Sequence, residues 1–512
     1  MIGYLVQNYP LIHAFQVTPT RRNRGETLAA GRIFRQAAKL ADCFGSGEIV
    51  AVKGPLDRPL SSLAIDSRRV LPGALFFALP GSRDGGAVSI DEAVSRGAIA
   101  VVTQKIPLFP PGKVTFIRVA DVRATLARVA QRHGQFPDRD LTLVGVAGAH
   151  GKTSVAHLLK YFLSGGPRVG LLGSINYDLG SRVVPALGAA LQADDVFGMM
   201  GQMRNAGCRH AVLELGARGV DPEGVRGVKF AAAVCTSAGC ETQFSAAPKI
   251  TAVNLDDPSG ENLAARLSAG AATRVITYGE NPRAMVRAEK LVVKLEHASL
   301  RVVWPGGSMS VVSPLVGRGH VNNLLAAVAT AWALGRDPAV FLAQLRAFPG
   351  VTGRMERLDE QQPFHVVVDS ARTESALRHT LRSLRPITPG RLLVVFGSGA
   401  DGERALRPTL TRAVQEFADF AVGTADNPRH EPIAQIFDDL RPGVTAPEKI
   451  TWIGDRRYAI AVALSLARPG DCVVIAGKGH ECWQKIGGTV CPFDDRQVVR
   501  ECLGEKLLRA SA

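Results

Sequence analysis

The run Leu143-Val144-Gly145-Val146-Ala147 feeds a glycine-rich turn, Gly148-Ala149-His150-Gly151, which closes on Lys152-Thr153-Ser154. An apolar-periodic stretch follows, with Val155, Leu158, Leu159 and Phe162 at helical spacing. Strand, loop and helix in that order make a phosphate cradle. Glycines let backbone N–H groups turn toward phosphate oxygens, and the helix N-terminus adds its positive dipole end. Lys152 is then the residue that reaches terminal phosphates, and the Thr153 hydroxyl is a ligand for Mg²⁺. As a loop lysine, Lys152 is expected at the surface, carrying little packing. The glycines fall at 145, 148 and 151, whereas the common Walker spacing would put one at Val146.

A chain of 512 residues is long enough for two to four domains with ample core. The pattern from residue 60 onward alternates short apolar runs with amphipathic stretches, which predicts an α/β fold. Strands are expected at Leu75–Leu79, Ile99–Val102, His210–Leu215, Ala231–Thr236, Ile250–Leu255 and Arg274–Tyr278, with helices at Ile90–Arg96 and Val122–His133. Residues 285–313 alternate apolar and polar, the mark of an antiparallel insertion, and Asn322–Leu334 and Pro338–Ala347 read as helical. Phe136-Pro137-Asp138 and Pro349-Gly350 punctuate the chain and set the expected boundaries. These give a loose extension (1–28), an N-terminal domain (29–136), a central nucleotide-binding domain (137–349) and a Rossmann-like C-terminal domain (350–512). The last carries apolar runs at His365–Asp369, Leu392–Phe396, Phe420–Val422 and Cys472–Ala476.

Composition excludes several classes. No uninterrupted apolar run reaches the roughly 18 residues of a membrane span, and the basic cluster Arg21, Arg22 and Arg24 follows the apolar patch Tyr4–Phe15, the wrong order for a secretory signal. Residues 1–28 read as an extension or an overlong start. The eight cysteines include no C-x-x-C pair, which argues for reduced thiols in a cytoplasmic protein and against a cysteine metal site. The net charge of +15 is spread along the chain without dense runs or interleaved aromatics, so no nucleic-acid partner is expected. Steering of anionic small molecules accounts for it.

The Gly-x-x-Gly-x-x-Gly-Lys-Thr spacing resembles that of the Mur ligase family. Further marks come in the family's order: Asp66-Ser67-Arg68 with Pro72-Gly73, Glu214, Asn254-Leu255-Asp256-Asp257, Gly317 to Ala327, Gly353-Arg354-Met355-Glu356, Asp426-Asn427-Pro428-Arg429 and Gly477-Lys478-Gly479-His480-Glu481. The resemblance, nearest the members that add meso-diaminopimelate, implies a three-domain fold with a central P-loop parallel-sheet domain. It also implies an ATP- and Mg²⁺-dependent amide ligase of peptidoglycan precursor synthesis that works through an acyl phosphate. The expected protein is a monomer whose partners are small molecules, a UDP-sugar peptide and a diamino acid.

By the same resemblance Lys152 and Glu214 are catalytic, and Gly148, Ala149, His150, Gly151, Lys152, Thr153, Ser154 and Asn323 hold the nucleotide. Asn323 has Asn322 as its alternative, and a plain helix N-cap as its bland reading. Thr153 and Glu214 hold the metal. Ser67, Asp426, Asn427, Pro428, Arg429, Gly477 and Glu481 bind substrate. Arg429 suits a carboxylate because its fork makes two charge-assisted bonds.

Several positions depart from the family. Its Ser-Ser-His after the metal glutamate is Gly216-Ala217-Arg218 here, its Thr-Thr pair is Ala189-Ala190, and its next glutamine and arginine are Pro222 and Gly224. The segment with its carbamylated lysine is shortened to Gln243–Lys249. Its Asp-Tyr-Ala-His-Thr reads Asp369-Ser370-Ala371-Arg372-Thr373, and Gly402 replaces an arginine, with Arg404 two residues on as a compensating candidate. Two readings stay open: an active ligase, or a catalytically weak paralogue that binds nucleotide and regulates or scaffolds wall synthesis.

Overall fold

The computed structural model describes residues 39–80, 87–108, 113–166, 168–186, 188–216, 218–237, 239–400 and 402–510. The expected extension at 1–28 lies outside them. By its contacts the chain divides into two compact bodies. The first takes the described residues up to Val144 with 167–231 and 242–247, and the second takes 145–166, 232–241 and 248 onward.

In the first body, β1 (Ala51–Lys53), β2 (Ser62–Ala64), β3 (Ala74–Phe77), β4 (Ala100–Thr103) and β5 (Thr115–Arg118) form a sheet of order β1-β5-β4-β3-β2. All neighbours are parallel except β1 with β5. Phe76, Val101 and Phe116 pack with Ile90 and Ala93 of α1 (Ala87–Ser95). Helix α2 (Val122–His133) starts where the Asp121 carboxylate accepts from the Ala124 N–H and stops at Gly134.

β6 (Thr142–Ala147) begins in the first body and ends in the second, where the loop after it opens α3 (Lys152–Leu163). The chain returns to the first body for the hairpin strands β7 (Arg168–Leu172), β8 (Asn176–Asp178) and β9 (Val183–Pro185), for α4 (Ala193–Asn205), and for β10 (Cys208–Glu214), which runs parallel to β7. The second body resumes with β11 (Ala232–Cys235), β12 (Ile250–Asn254), α5 (Gly260–Ala269) and β13 (Arg274–Gly279), a parallel run. β14 (Val286–Val293), β15 (Ala298–Trp304) and β16 (Gly307–Ser313) then form the antiparallel insertion expected from the alternation. Helix α6 spans Arg318–Ala333, starting one turn earlier than its apolar periodicity suggests because Gly317, at φ +87°, sets its N-cap.

The remaining strands are β17 (Glu356–Leu358), β18 (His365–Asp369), β19 (Leu392–Ser398), β20 (Phe420–Ala425), β21 (Ile450–Trp452) and β22 (Cys472–Ala476), with a hairpin of β23 (Trp483–Ile486) and β24 (Thr489–Pro492). The sheet order is β17-β18-β22-β19-β20-β21, parallel apart from β17. Helices cover both faces, so consecutive strand residues are buried alternately on opposite sides. Leu392, Val394, Phe396 and Val474 join the core under α7 (Glu374–Leu384), α8 (Arg407–Phe417) and α9 (Ile433–Leu440), while Leu393, Val395, Val473 and Ile475 join the core under α10 (Arg456–Leu466) and α11 (Asp495–Ala510). Burial on both faces is why these strands read as unbroken apolar runs.

The strand ends of this sheet are tied by ions. Arg456 and Asp495 have fully buried side chains and make a two-pronged pair at 2.8 and 2.7 Å. Arg456 also donates to the carbonyls of Ala425 and Ala476, the last residues of β20 and β22. Removing one member leaves an uncompensated buried charge. Arg456→Ala is therefore expected to cost about 3–5 kcal/mol, seen as a fall in the denaturation midpoint. Arg457→Ala, which breaks the exposed pair with Glu501, should leave the midpoint unchanged.

Candidate active site

The second body holds the phosphate loop. Lys152 contradicts the expectation of a surface residue: it is buried, and its Nζ donates to the Gly148 carbonyl at 2.6 Å. The ammonium thus folds back over the loop it serves. The Ala149 N–H donates to Ser237 Oγ at 3.1 Å. At Gly151, φ is +82° and an added Cβ would lie 2.1 Å from Asn323 Oδ1. Asn323 therefore lies inside α6 against the loop, and the N-cap is Gly317, so the capping alternative fails. Asn322 Oδ1 is buried with no hydrogen-bond partner.

The loop is also gripped from the C-terminal sheet domain, a set of contacts absent from any local pattern. His150 Nε2 lies 2.9 Å from Ser375 Oγ, and its ring stacks on His379 with centroids 5.1 Å apart. Arg354 Nη2 donates to Thr153 Oγ1 at 3.5 Å. Ser154 Oγ lies 3.2 Å from His320 Nε2. Burial pushes the pKa of His320 down to about 4, although the nearby Asp369 carboxylate opposes the shift. Asp369 in turn accepts from the Met355 and Ala371 N–H groups and from Thr380 Oγ1.

The remaining motifs gather at the C-terminal ends of β18, β20 and β22, where open parallel sheets bind ligands. Gly353 packs so closely on the next motif that a Cβ there would lie 2.1 Å from the His480 nitrogen. Lys478 is fully buried. It donates to Asn427 Oδ1 (3.0 Å) and the Trp483 carbonyl (2.8 Å), and lies 3.4 Å from Asp426 Oδ1 and 3.8 Å from Glu481 Oε2. Burial lowers its pKa against the pull of Asp426. Glu481 Oε1 accepts from Arg372 Nη2 at 2.8 Å, and Oε2 accepts from Asn427 Nδ2 at 3.1 Å. Gly477, at φ +118°, donates its N–H to the Asp369 carbonyl. Pro428 accepts from the Glu431 N–H, closing a turn that leaves Arg429 left-handed and bridged to Ile486 of β23. Arg404, two residues after Gly402, places its guanidinium on Asp439 at 2.8 and 3.1 Å.

In the first body, Glu214 ends β10 and is buried, accepting from the Ser174 N–H (2.9 Å) and Oγ (3.2 Å). Among the described residues no cluster of three or more His, Cys, Asp or Glu could hold a metal. A carboxylate is a hard-oxygen donor, which suits Mg²⁺ that keeps phosphate and water ligands. After Glu214 the chain doubles back. The Val220 N–H donates to the Glu214 carbonyl, and Leu191 pairs with Gly219 and Asp221. Ala190 therefore precedes a bridge to the loop of Gly216 and Arg218, the latter left-handed at φ +74°. A Cβ on Gly224 would lie 3.1 Å from the Ala193 nitrogen, in the first turn of α4. The departures at 189–190, 216, 218 and 224 are one contiguous patch. Ser67 is buried, donating from Oγ to Glu92 Oε2 at 2.6 Å. The same body holds a cavity of about 350 Å³ along β2, lined also by Arg69, His133, Asp194 and Asp195.

Family models match along most of the chain: the Mur ligase family catalytic domain over 59–133, the Mur ligase middle domain over 146–241 and 242–331, and the Mur ligase glutamate ligase domain over 353–479. A Gloeobacter violaceus protein named UDP-N-acetylmuramoyl-L-alanyl-D-glutamate--2,6-diaminopimelate ligase is 38% identical over 472 residues, covering 88% of this chain and 96% of that protein. A Streptomyces coelicolor protein of the same name is 35% identical, covering 91% and 96%. A solved structure of a ligase of that name superposes with TM-score 0.60 at 26% identity, covering 92% of this chain and 99% of that one. Thermotoga maritima MurF bound to ADP shares the fold, with TM-score 0.59 at 17% identity. The fold and site define an α/β ligase that binds ATP and Mg²⁺ and forms C–N bonds. The chain belongs to the Mur ligase family. Among the described residues no helix is long and apolar enough to cross a membrane.

The buried histidine beside the loop has a pH consequence. His320 binds its proton more weakly folded (about 4) than unfolded (6.5). The unfolded state therefore gains protons first as pH falls, and stability present above about pH 6.5 is lost toward pH 4. At 1.36 kcal/mol per pKa unit the loss reaches about 3 kcal/mol. Denaturation at pH 7 and pH 4.5 should show a smaller pH-dependent loss in His320→Gln than in the parent.

Proposed function

We propose that the chain joins an amino acid, through its amine, to the peptide carboxylate of a UDP-N-acetylmuramoyl-dipeptide, with meso-diaminopimelate as the amino acid. The acceptor carboxylate attacks the terminal phosphorus of ATP, ADP leaves, and the amine displaces phosphate from the acyl phosphate. One observation carries the reading. The phosphate loop and the domain with Asp426, Arg429 and Glu481 lie in one compact body, joined by Arg354 on Thr153 and by Ser375 and His379 on His150. In this reading Lys152 and the loop N–H groups hold the terminal phosphates, Thr153 and Asn323 complete the nucleotide site, and Glu214 is a ligand for Mg²⁺. Bound Mg²⁺ supplies charge neutralisation between phosphates and carboxylate. Ser67 contributes to the acceptor site, and Asp426, Asn427, Pro428, Arg429, Gly477 and Glu481 to the amino-acid site. In this reading the protein works in the cytoplasm as a monomer, with no nucleic-acid partner.

A second reading, a nucleotide-binding paralogue of low activity, is favoured by the contiguous patch of Ala189, Ala190, Gly216, Arg218 and Gly224. Alanine and glycine supply no side-chain contact through which acceptor binding energy would align the acyl phosphate.

Phosphate release and product formation from ATP, diaminopimelate and UDP-N-acetylmuramoyl-L-alanyl-D-glutamate decide between them. Release that requires all three substrates, and falls at least about 10²-fold in Lys152→Ala, is expected. ATP binding by calorimetry without product would replace the ligase reading with the paralogue reading.

A further inference from the structure

Glu214 is braced through both its backbone and its side chain. It is 3% exposed and closes β10, whose Leu213 lies beside Leu172, the last residue of β7. The chain then turns back into β8 through Gly173, whose N–H donates to the Asn176 carbonyl, and Ser174. That turn sets Ser174 on the Glu214 carboxylate. The Ser174 N–H donates to Oε2 at 2.9 Å, and its hydroxyl donates to Oε1 at 3.2 Å. On the backbone side the Val220 N–H donates to the Glu214 carbonyl, and Gly219 packs so closely that a Cβ there would lie 2.2 Å from that oxygen. One residue thus spans both carboxylate oxygens with two adjacent donors. A backbone N–H and a hydroxyl of the same residue reach both oxygens from the side on which these face a common partner. A carboxylate uses that same side to chelate one ion through two oxygens. An ionised carboxylate offers about four acceptor sites, so outward lone pairs remain for coordination through one oxygen. The difference matters between hard cations. Ca²⁺ gathers more oxygens in a flexible shell and takes carboxylates through one oxygen or two. Mg²⁺ is smaller and stricter, and keeps waters and phosphate oxygens beside few carboxylates.

We propose that Ser174 makes Glu214 a one-oxygen metal ligand and so sets a preference for Mg²⁺ over Ca²⁺. The inference rests on the reading of Glu214 as a ligand for Mg²⁺ and refines it. Ser174 is a positioning residue: its donors act on the carboxylate, and the carboxylate acts on the ion. Removing the hydroxyl releases Oε1 from Ser174. The carboxylate then turns about its remaining bond to the Ser174 N–H and offers both oxygens to the larger ion.

The test uses the full chain at saturating non-hydrolysable ATP analogue. Calorimetry measures Mg²⁺ and Ca²⁺ binding in the parent, Ser174→Ala, Ser174→Thr and Glu214→Gln. In Ser174→Ala, Mg²⁺ should bind at least about tenfold more weakly while Ca²⁺ changes by less than about threefold, the first being the scale of losing an outer partner of a metal ligand. Ser174→Thr, which keeps the hydroxyl, should retain the parent's ratio of Mg²⁺ to Ca²⁺ affinity. A residue that merely props up the turn would weaken both ions alike and leave that ratio alone. An unchanged ratio in Ser174→Ala, or a ratio in Ser174→Thr that matches Ser174→Ala, overturns the proposal. The metal role of Glu214 then still stands if Glu214→Gln weakens Mg²⁺ binding. Glu214→Gln that binds Mg²⁺ as the parent does overturns that role, and this inference with it.

Discussion

Burial of charge at the ends of two parallel strands is the constraint on which the C-terminal half depends. Arg456 reaches the last carbonyls of β20 and β22 while locked to Asp495, so one guanidinium fixes where two strands stop. Where those strands stop decides where Asp426, Asn427, Lys478 and Glu481 begin. A charge this deep is tolerated only with its counter-charge and hydrogen bonds in place. The site therefore inherits its geometry from an ion pair outside the motifs that define it.

The sheets were legible because they obey simple burial rules. Leu392–Phe396 and Cys472–Ala476 are covered on both faces, and a doubly covered parallel strand leaves no polar position to hide its signal. The alternation at 285–313 announced β14 to β16 for the opposite reason, since those strands keep one wetter face. What escaped was short and marginal. Glu356-Arg357-Leu358 of β17 is an edge strand with a charged start, and β23–β24 is a hairpin of two four-residue strands. Neither has a period long enough to read.

The site divides in the same way. Gly151, Lys152 and Thr153 carry their chemistry in local spacing, and Gly353 and Gly479 are demanded by a close backbone approach. The partners of these residues are distant in sequence. Arg372 meets Glu481 across 109 positions, and His150 meets Ser375 across 225. No periodicity encodes such a meeting. The burial of Lys152 was equally hidden, because it follows from a bond to Gly148 that exists only once the loop has formed.

The stacked rings of His150 and His379 have one more implication. The loop that would meet nucleotide and the helix that follows β18 share a contact, so fixing one restrains the other. Free energy spent in aligning one is already spent when the other's ligand arrives, and linkage makes the benefit equal in both directions. Occupancy at one end of this body is thus informative about occupancy at the other. The hydrogen bond of His150 to Ser375 and the ring contact together are the physical route by which binding at the loop would be felt at that helix.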